Sequence, residues 1–365
     1  MKVNTCITLL FVLLFTGCTK EETQNKEEEI ANNPVYLDTN GVTVKARDWA
    51  KPGDTGEING VTYTVVDEST LRTMVAHHED VTTLATTLVT NMSNLFKDKD
   101  TFEQDISNWD VSNVTNMDYM FFNADIFNQP LNNWDVSKVT SMKQMFRGDY
   151  LFNQNLNSWD VSSVTNMEGM FWNAASFNGD ISSWDVGNVS DMAVMFDAAR
   201  SFTGDLSKWN VSSVTRMTLM FYSADSFNGD LNNWDVSNVT NMNSMFSYCP
   251  MFNGNISNWN VSQVVDMAGM FAYAYEFNRD ISEWDVSNVI LMPGMFHSAY
   301  RFNQDISSWN VSMVDDMAGM FTEAYDFNQN ISNWMVESVT KCAYFSLNAS
   351  SWTLPKPDFT NCDPF

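Results

Sequence analysis

Aspartate recurs every 25 residues at one position of this chain, directly after a tryptophan; the members that we single out are Asp110, Asp135, Asp160, Asp185, Asp235 and Asp285. Stacked carboxylates could bind Ca²⁺, which takes several oxygen ligands, or could supply the acid pair of a polysaccharide hydrolase. Asn210, Asn260 and Asn310 interrupt the series, and no calcium-repeat motif of the GGxGxD type is present. We therefore expect no bound metal, and a calcium-stabilised, self-associating surface protein stands as the alternative.

Nothing else in the chain completes a catalytic site. Asp and Glu together number 45, so a carboxylate pair arises by chance, and no break in the repeat pattern marks an active site. His77 and His78 are neighbours on a predicted helix and point in different directions, which suits exposed histidines better than metal ligands. We expect neither catalytic residues nor a cofactor, and we rank a polysaccharide-active enzyme last.

Aromatic side chains offer recognition rather than catalysis. Trp172 and Tyr222 lie in a column whose residue type varies from repeat to repeat, and this variety indicates exposure. Tyr275, Tyr300 and Tyr325 occupy another column and predict an aromatic ladder. Tyrosine and tryptophan are favoured in recognition patches. These residues and the aspartates form our candidate binding surface, and the alternative that the rings merely cover outer helices stays open.

The element that positions these residues is a repeat of 25 residues. Such a period is typical of a solenoid, in which each repeat stacks on the last and a long binding face results. The period is read from ten tryptophans: Trp109, Trp134, Trp159, Trp184, Trp209, Trp234, Trp259, Trp284, Trp309 and Trp334.

Within one repeat, spacing predicts the local structure. Trp109 and Val111 are two residues apart, so on a strand they share a face while Asp110 points the other way; we predict that residues 108–112 form a short strand of a parallel sheet. Met117, Met120 and Phe121 lie at helical spacing and predict one helical turn. The predicted fold is an α/β repeat, a leucine-rich-repeat-like solenoid with short parallel strands and one helical turn per coil.

Cysteine positions divide into three groups. Cys249 continues a column of alanines, from Ala124 to Ala324, and is therefore expected to be a buried small residue rather than a nucleophile. Cys342 and Cys362 enclose a short loop near the C-terminus, and outside the cytoplasm this favours a disulfide over two free thiols. Cys6 and Cys18 lie in the leader.

The first 17 residues read as a secretory signal peptide, because Lys2 precedes a short apolar stretch. The segment LFTGC, which ends at Cys18, resembles the lipobox of bacterial lipoproteins, with Phe15 in place of the usual aliphatic residue. We expect lipid attachment at Cys18; an ordinary signal cut nearby is the alternative. Lys20-Glu21-Glu22 resembles the signal that exports Bacteroidota lipoproteins to the cell surface, although an ordinary charged linker reads the same.

Composition limits the partners. The formal net charge is −26 at pH 7, which disfavours nucleic acid because phosphate binding needs a basic surface. It also disfavours docking on anionic lipid, so we expect contact with the membrane through the lipid anchor only. Mutual repulsion suits a soluble chain, and we expect a monomer whose partner is an extracellular protein or glycan.

These readings divide the chain into five parts: a signal peptide (1–17), a disordered tether (18–34), a small α+β N-terminal cap (35–88), about ten coils (89–340) and a C-terminal cap (341–365). In the N-terminal cap, Asn40-Gly41 predicts a hairpin, and residues 58–66 predict a strand followed by a helix. Prolines in the C-terminal cap block further stacking.

The unit FNQDISSWNVSMVDDMAGMF, residues 302–321, resembles the BspA-type leucine-rich repeat, and the likeness covers residues 89–346. Residues 53–76 are similar to the segment that precedes such arrays. The resemblance implies a surface-exposed outer-membrane lipoprotein of the adhesin type, found in Bacteroidota and Mollicutes, without catalytic residues. Departures occur at Pro130, Asp149 and Met335, which bear on local packing.

Overall fold

The computed structural model describes residues 31–365. The predicted signal peptide, the lipid-attachment residue Cys18 and the tether up to residue 30 lie outside the described residues. Within residues 31–365, no helix is both long enough and apolar enough to cross a membrane.

The N-terminal cap contains two small sheets and one helix. Strands β1 (Val35–Leu37) and β2 (Val44–Ala46) form the predicted antiparallel hairpin. Strands β3 (Thr55–Ile58) and β4 (Val61–Val65) pair antiparallel, and β5 (Leu84–Ala85) joins β4 in parallel. Helix α1 (Glu68–Ala76) begins at Asp67, whose side chain accepts the backbone N–H of Thr70. This capping bond satisfies one of the free donors of the first turn.

Helix α1 closes the open end of the solenoid through Arg72. Its guanidinium donates to the carbonyls of Asn91 and Ser93, at 3.1 and 2.9 Å. In later coils the equivalent carbonyls accept backbone N–H groups from the preceding coil, as Asn116 accepts from Met92. Arg72 therefore takes the place of a missing coil, because buried backbone acceptors require a partner.

The solenoid itself has almost no regular secondary structure. Among the described residues, those from 91 to 365 form turns and single-residue bridges but neither helix nor strand. One parallel bridge connects each coil to the next. The bridging residues are Asn91, Asn116, Ser141, Asn166, Asp191, Arg216, Asn241, Asp266, Leu291, Asp316 and Lys341.

The predicted strand at residues 108–112 and its counterparts is wrong. The expected alternation of faces is present, since Trp134 and Val136 are buried and Asp135 between them is exposed. However, the backbone N–H groups that flank it close local turns, from Trp134 to Leu131 and from Val139 to Val136. Because these donors are used within the coil, successive coils do not pair there, and their parallel contact lies instead near residue 141. Within residues 31–365, only the first coil has a parallel bridge at this position, between Trp109 and Val44 of the cap.

The predicted helical turn is also wrong, although its buried positions are right. In residues 142–149 the backbone donors alternate in direction. The N–H groups of residues 142, 144, 146 and 148 donate to the next coil, whereas those of 145, 147 and 149 close turns within the coil. In a helix, the backbone N–H groups would bond to carbonyls of the same helix, and none would be left to bind the neighbouring coil.

Positive φ angles make this arrangement possible. Two positions per coil carry them, as at Tyr119 and Asn123 or at Gly269 and Tyr273. A residue with positive φ at the third place of a four-residue turn is the mark of a type II turn. The sequence signal was the recurrence of Gly, Asn and Ser at these two columns, but Val194, with φ of 52°, does not follow it.

The tryptophans connect successive coils by hydrogen bonds and by ring stacking. All ten indole N–H groups donate to the carbonyl of an apolar residue 28 positions earlier, at 2.8–3.2 Å. Neighbouring rings are stacked, as for Trp134 and Trp159, whose centroids lie 6.4 Å apart. Leucine at the same position would be smaller and could not donate to the buried carbonyl.

Two further ladders connect the coils, the first in the core and the second on the surface. Phe121 stacks on Phe127 of its own coil at 4.2 Å and on Phe146 of the next at 5.4 Å. On the other side of the phenylalanines, asparagine side chains bind the next coil, as Asn128 accepts the backbone N–H of Asn153 at 2.9 Å. This asparagine ladder is absent from the sequence-based reading.

The C-terminal end is closed by an irregular segment. Cys342 and Cys362 are joined by a disulfide, with their Cα atoms 5.8 Å apart. Phe359 packs on Phe345 at the last coil, with ring centroids 4.9 Å apart. Cys249, the free cysteine of the described residues, is fully buried in the alanine column, and burial raises its pKa well above the ordinary range. As expected from its column, it is core.

Candidate binding surface

The predicted acidic strip is exposed, except at its first member. Asp135, Asp160, Asp185, Asp235 and Asp285 face solvent. Asp110 is only 2% exposed, because the N-terminal cap covers it and the Thr87 hydroxyl donates to its carboxylate at 2.6 Å. The assignment of Asp110 to an exposed surface is therefore wrong.

Each of these aspartates has a local structural role. Asp135 accepts the backbone N–H and the hydroxyl of Ser137, at 3.1 and 2.6 Å. Hydrogen bonds from the serine two residues later lower the pKa of Asp160, Asp235 and Asp285. Asn210, Asn260 and Asn310 make the same bond to their serines. An acceptor oxygen is thus all that the position requires, which explains the mixture of acid and amide.

Calcium binding gains no support from this geometry. Each of these carboxylates uses one oxygen to hold its own turn, as Asp185 does with the N–H of Gly187 at 3.1 Å. Over residues 31–365, His, Cys, Asp and Glu side chains do not gather in groups of three or more that could hold a metal ion.

Trp172 and Tyr222 are less accessible than their variable column suggests. Both are half-buried, and Asp197, between them in the column, is only 8% exposed. The Arg147 guanidinium lies 3.5 Å from the centre of the Trp172 ring and covers it. Sequence variety in this column therefore reflects different ways of packing one coil on the next, and the inference from variety to exposure is wrong.

Tyrosines converge on one side of the later coils. We call Tyr222, Tyr248, Tyr273, Tyr275, Tyr300 and Tyr325 the tyrosine surface. The predicted ladder is present: Tyr275 stacks on Tyr300 at 4.5 Å, and Tyr300 stacks on Tyr325 at 4.8 Å. The rings of these pairs are 8° and 23° from parallel.

A second row of rings accompanies the first, and sequence reasoning missed its middle member, Tyr248. Tyr248 stacks on Tyr273 at 4.3 Å, and Tyr222 meets Tyr248 edge-on at 5.4 Å. Tyr248 is 42% exposed. It was missed because it stands where other repeats have Asn, Gly or Ser; the replacement of these small residues by tyrosine in two consecutive repeats was the available signal.

The hydroxyls of Tyr273 and Tyr275 keep their protons at neutral pH. Partial burial, followed by the influence of Tyr248, raises the pKa of Tyr273. Partial burial, followed by the neighbouring Tyr300, raises the pKa of Tyr275. Burial also lowers the pKa of His297, whose ring lies 4.9 Å from that of Tyr273. Tyr273, Tyr275 and His297 thus present neutral hydroxyl and imidazole groups.

Charge at the tyrosine surface is negative. Glu276 and Asp326 directly follow Tyr275 and Tyr325 in the chain and are exposed. Glu323 lies close enough to contribute to the raised pKa of Tyr273, Tyr275 and Tyr325. Arg301, the cation among them, lies 3.4 Å from the Asp326 carboxylate. The three carboxylates therefore outnumber the one guanidinium of Arg301.

Backbone with little side chain borders the second tyrosine row. Gly269, Gly294 and Gly319 occupy one column with φ near +60°. Each glycine directly follows a small residue in the chain, namely Ala268, Pro293 and Ala318. In the first coil of the array, the same column holds Tyr119. A ligand can therefore approach the backbone more closely at these three glycines than at Tyr119.

Comparisons with known proteins agree with a repeat architecture. A family model described as "Mycoplasma protein of unknown function, DUF285" matches residues 68–168, 148–259 and 246–355. A search of curated proteins finds no match.

Among solved structures, the chain is similar to a leucine-rich-repeat protein of Leptospira interrogans, with 7% identity, a TM-score of 0.23, and coverage of 63% of this chain and 66% of that one. A leucine-rich-repeat protein of T. pallidum gives 9% identity, a TM-score of 0.18, and coverage of 67% and 87%. The chain thus spans just under two thirds of the Leptospira protein. Scores this low carry no argument about fold or function.

Proposed function

The chain belongs to the family described as Mycoplasma protein of unknown function, DUF285, and we propose that it is a non-catalytic, adhesive surface lipoprotein. Its solenoid displays the tyrosine surface to an extracellular protein or glycan. The BspA-type leucine-rich repeat, which residues 302–321 resemble, is the finer family assignment within this proposal.

The observation that carries the proposal is the placement of tyrosine at a backbone position of positive φ, where the other coils have smaller side chains. Tyr248 and Tyr273 have φ of 56° and 60°, a conformation that costs a residue with a Cβ roughly 1–2 kcal/mol. The same column holds Asn123, Gly148 and Ser298 in other coils. Side chains that are kept at strained positions on a surface point to a role in recognition.

The anchor rests on sequence alone. The lipobox-like segment that ends at Cys18 and the acidic segment after it support attachment to the outer membrane and exposure on the cell surface. Radiolabelled palmitate should be incorporated by the wild-type chain in bacterial cells and not by Cys18→Ser. External protease should remove the protein from intact cells; full protection would contradict surface exposure.

Binding is tested with the full chain carrying Cys18→Ser, which blocks lipid attachment. We expect saturable binding on extracellular-protein or glycan arrays, and a loss of at least tenfold in affinity for the double variant Tyr275→Ala/Tyr300→Ala. Tyr150→Ala is the matched control, because Tyr150 occupies the same column and is 44% exposed but lies outside the tyrosine surface. Blank arrays, or equal binding by all variants, would overturn the proposal.

A further inference from the structure

We propose that the tyrosine surface binds an uncharged polysaccharide chain that lies along the solenoid axis. This inference rests on the proposed binding function and names the class of ligand.

Stacking decides which atoms of the tyrosines remain free. Tyr300 lies between Tyr275 and Tyr325, at 4.5 and 4.8 Å, so both of its faces are occupied. Tyr273 is covered in the same way by Tyr248 and His297, at 4.3 and 4.9 Å. With both faces covered, these inner residues can offer a ligand only their ring edges and phenol hydroxyls. A protein partner anchored by aromatic hot spots would need open faces and an apolar centre, which the inner rings do not offer.

Charge selects among the glycans. Glu276, Glu323 and Asp326 carry three negative charges against the single charge of Arg301, which is itself paired with Asp326 at 3.4 Å. Sulfated, phosphorylated or uronic-acid polymers would meet like charge here, and the chain as a whole carries −26. An uncharged polymer avoids this repulsion.

The hydrogen-bonding groups suit a polyol. Phenol hydroxyls can both donate and accept, and carboxylates accept. Because the pKa of Tyr273 and the pKa of Tyr275 are raised by partial burial, both keep the proton that they donate. A sugar hydroxyl likewise donates and accepts. It can therefore replace the hydrogen bonds that water makes to the phenols and carboxylates. A cationic peptide would leave the phenol donors without acceptors from its charged side chains.

Repetition indicates a polymer. The phenols recur once per coil along the axis, from Tyr275 through Tyr300 to Tyr325, and the glycines Gly269, Gly294 and Gly319 recur in step with them. A ligand whose own units repeat can make the same contact at each coil, so its affinity should rise with its length until the ladder is spanned.

The test is calorimetric titration of the full chain carrying Cys18→Ser with neutral oligosaccharides of the cello, xylo, manno, malto and laminari series, from disaccharide to hexasaccharide. Oligogalacturonides and heparin fragments serve as charged probes. At least one neutral series should bind, with affinity that increases with length and changes little with salt. Tyr300→Phe keeps the stack and removes one hydroxyl, so it should weaken binding about three- to tenfold; Tyr150→Phe is the matched control.

A second variant tests the bare backbone without touching a tyrosine. Gly294→Asn retains a residue that tolerates positive φ, and a Cβ there would make only ordinary contact with His297 at 3.7 Å. It should weaken the same oligosaccharide, whereas Gly169→Asn, in the same column outside the surface, should not.

Failure of the inference is distinct from failure of the proposed function. If charged glycans or proteins bind through the tyrosines and no neutral series does, the ligand class is wrong and the adhesive role stands. If neutral oligosaccharides bind equally to wild type, Tyr300→Phe and Gly294→Asn, the site is wrong. If the tyrosine variants bind every array ligand as wild type does, both proposals fail.

Discussion

Asp149 should destabilise the solenoid in a pH-dependent way. It stands in the alanine column, between Ala124 and Ala174, and is completely buried. Within the described residues neither of its carboxylate oxygens has a hydrogen-bond partner. Burial raises its pKa to about 9, so at neutral pH the folded chain holds this carboxyl protonated while the unfolded chain ionises it.

The magnitude follows from proton linkage. The unfolded pKa of an aspartate is about 3.9, so between that value and about 9 the folded chain binds one more proton than the unfolded chain. The free energy of unfolding therefore falls as pH rises, by about 1.36 kcal/mol per pH unit. Between pH 5 and pH 7 the loss is about 2.7 kcal/mol. The penalty is absent below the unfolded pKa and is complete above the folded one.

Asp149→Ala restores the repeat residue and removes the titrating group. We expect it to be more stable than wild type at pH 7, with a difference that grows by about 2.7 kcal/mol from pH 5 to pH 7. Guanidinium unfolding followed by tryptophan fluorescence measures this difference. Asp197, whose pKa burial raises to about 7, is present in both chains and cancels. Asp225→Ala, at an exposed residue, is the control.

Asp149→Asn separates the effect of titration from the effect of polarity, because asparagine is polar but does not titrate. The pH dependence of its free energy of unfolding should be flatter than that of wild type. Its stability at pH 7 should stay below that of Asp149→Ala, because a polar group remains buried. Parallel pH profiles for wild type and Asp149→Ala, or a less stable alanine variant at pH 7, would refute the reasoning.

Three further predictions concern the backbone. Trp209→Phe leaves the Ile181 carbonyl, now bonded at 3.1 Å, without its indole donor and should cost about 1–3 kcal/mol; Trp49→Phe, at a residue 51% exposed, should cost almost nothing in the same unfolding assay. Val194→Gly relieves a φ of 52° at a β-branched residue and should raise the free energy of unfolding by about 1 kcal/mol; a loss of stability would show that the valine packing outweighs the strain. Arg72→Leu strips the carbonyls of Asn91 and Ser93 of their donors and should cost about 1–3 kcal/mol, with faster hydrogen exchange confined to the first coils; uniform acceleration along the array would contradict a local capping role.

Much of the core could be read from the sequence. The tryptophan, phenylalanine and methionine columns are buried as expected, Cys249 replaces a buried alanine, and the side chains of Trp134 and Val136 face inward while Asp135 faces outward. These features follow from the apolar or polar character of each residue and from a fixed period, both of which are local properties of the chain.

The surface was only partly readable. Tyr275, Tyr300 and Tyr325 stack as their spacing predicts, because residues one period apart become neighbours whatever the conformation of the coil. Three candidate residues are more buried than expected: Trp172, Tyr222 and Asp110. Their exposure depends on which side chains of the neighbouring coil or the cap pack against them. Tyr248 belongs to the tyrosine surface because the backbone there has a positive φ, which its residue type does not predict.

By itself, then, the sequence determined the stacking period and the division between core and surface, because these depend on residue type and spacing. Only the tertiary structure decided how the backbone is bonded. Helical spacing of Met117, Met120 and Phe121 is equally compatible with consecutive turns, and the choice between them depends on carbonyls about one repeat away, such as Ser141, which accepts the N–H of Met117. Those partners exist only once the coils are stacked.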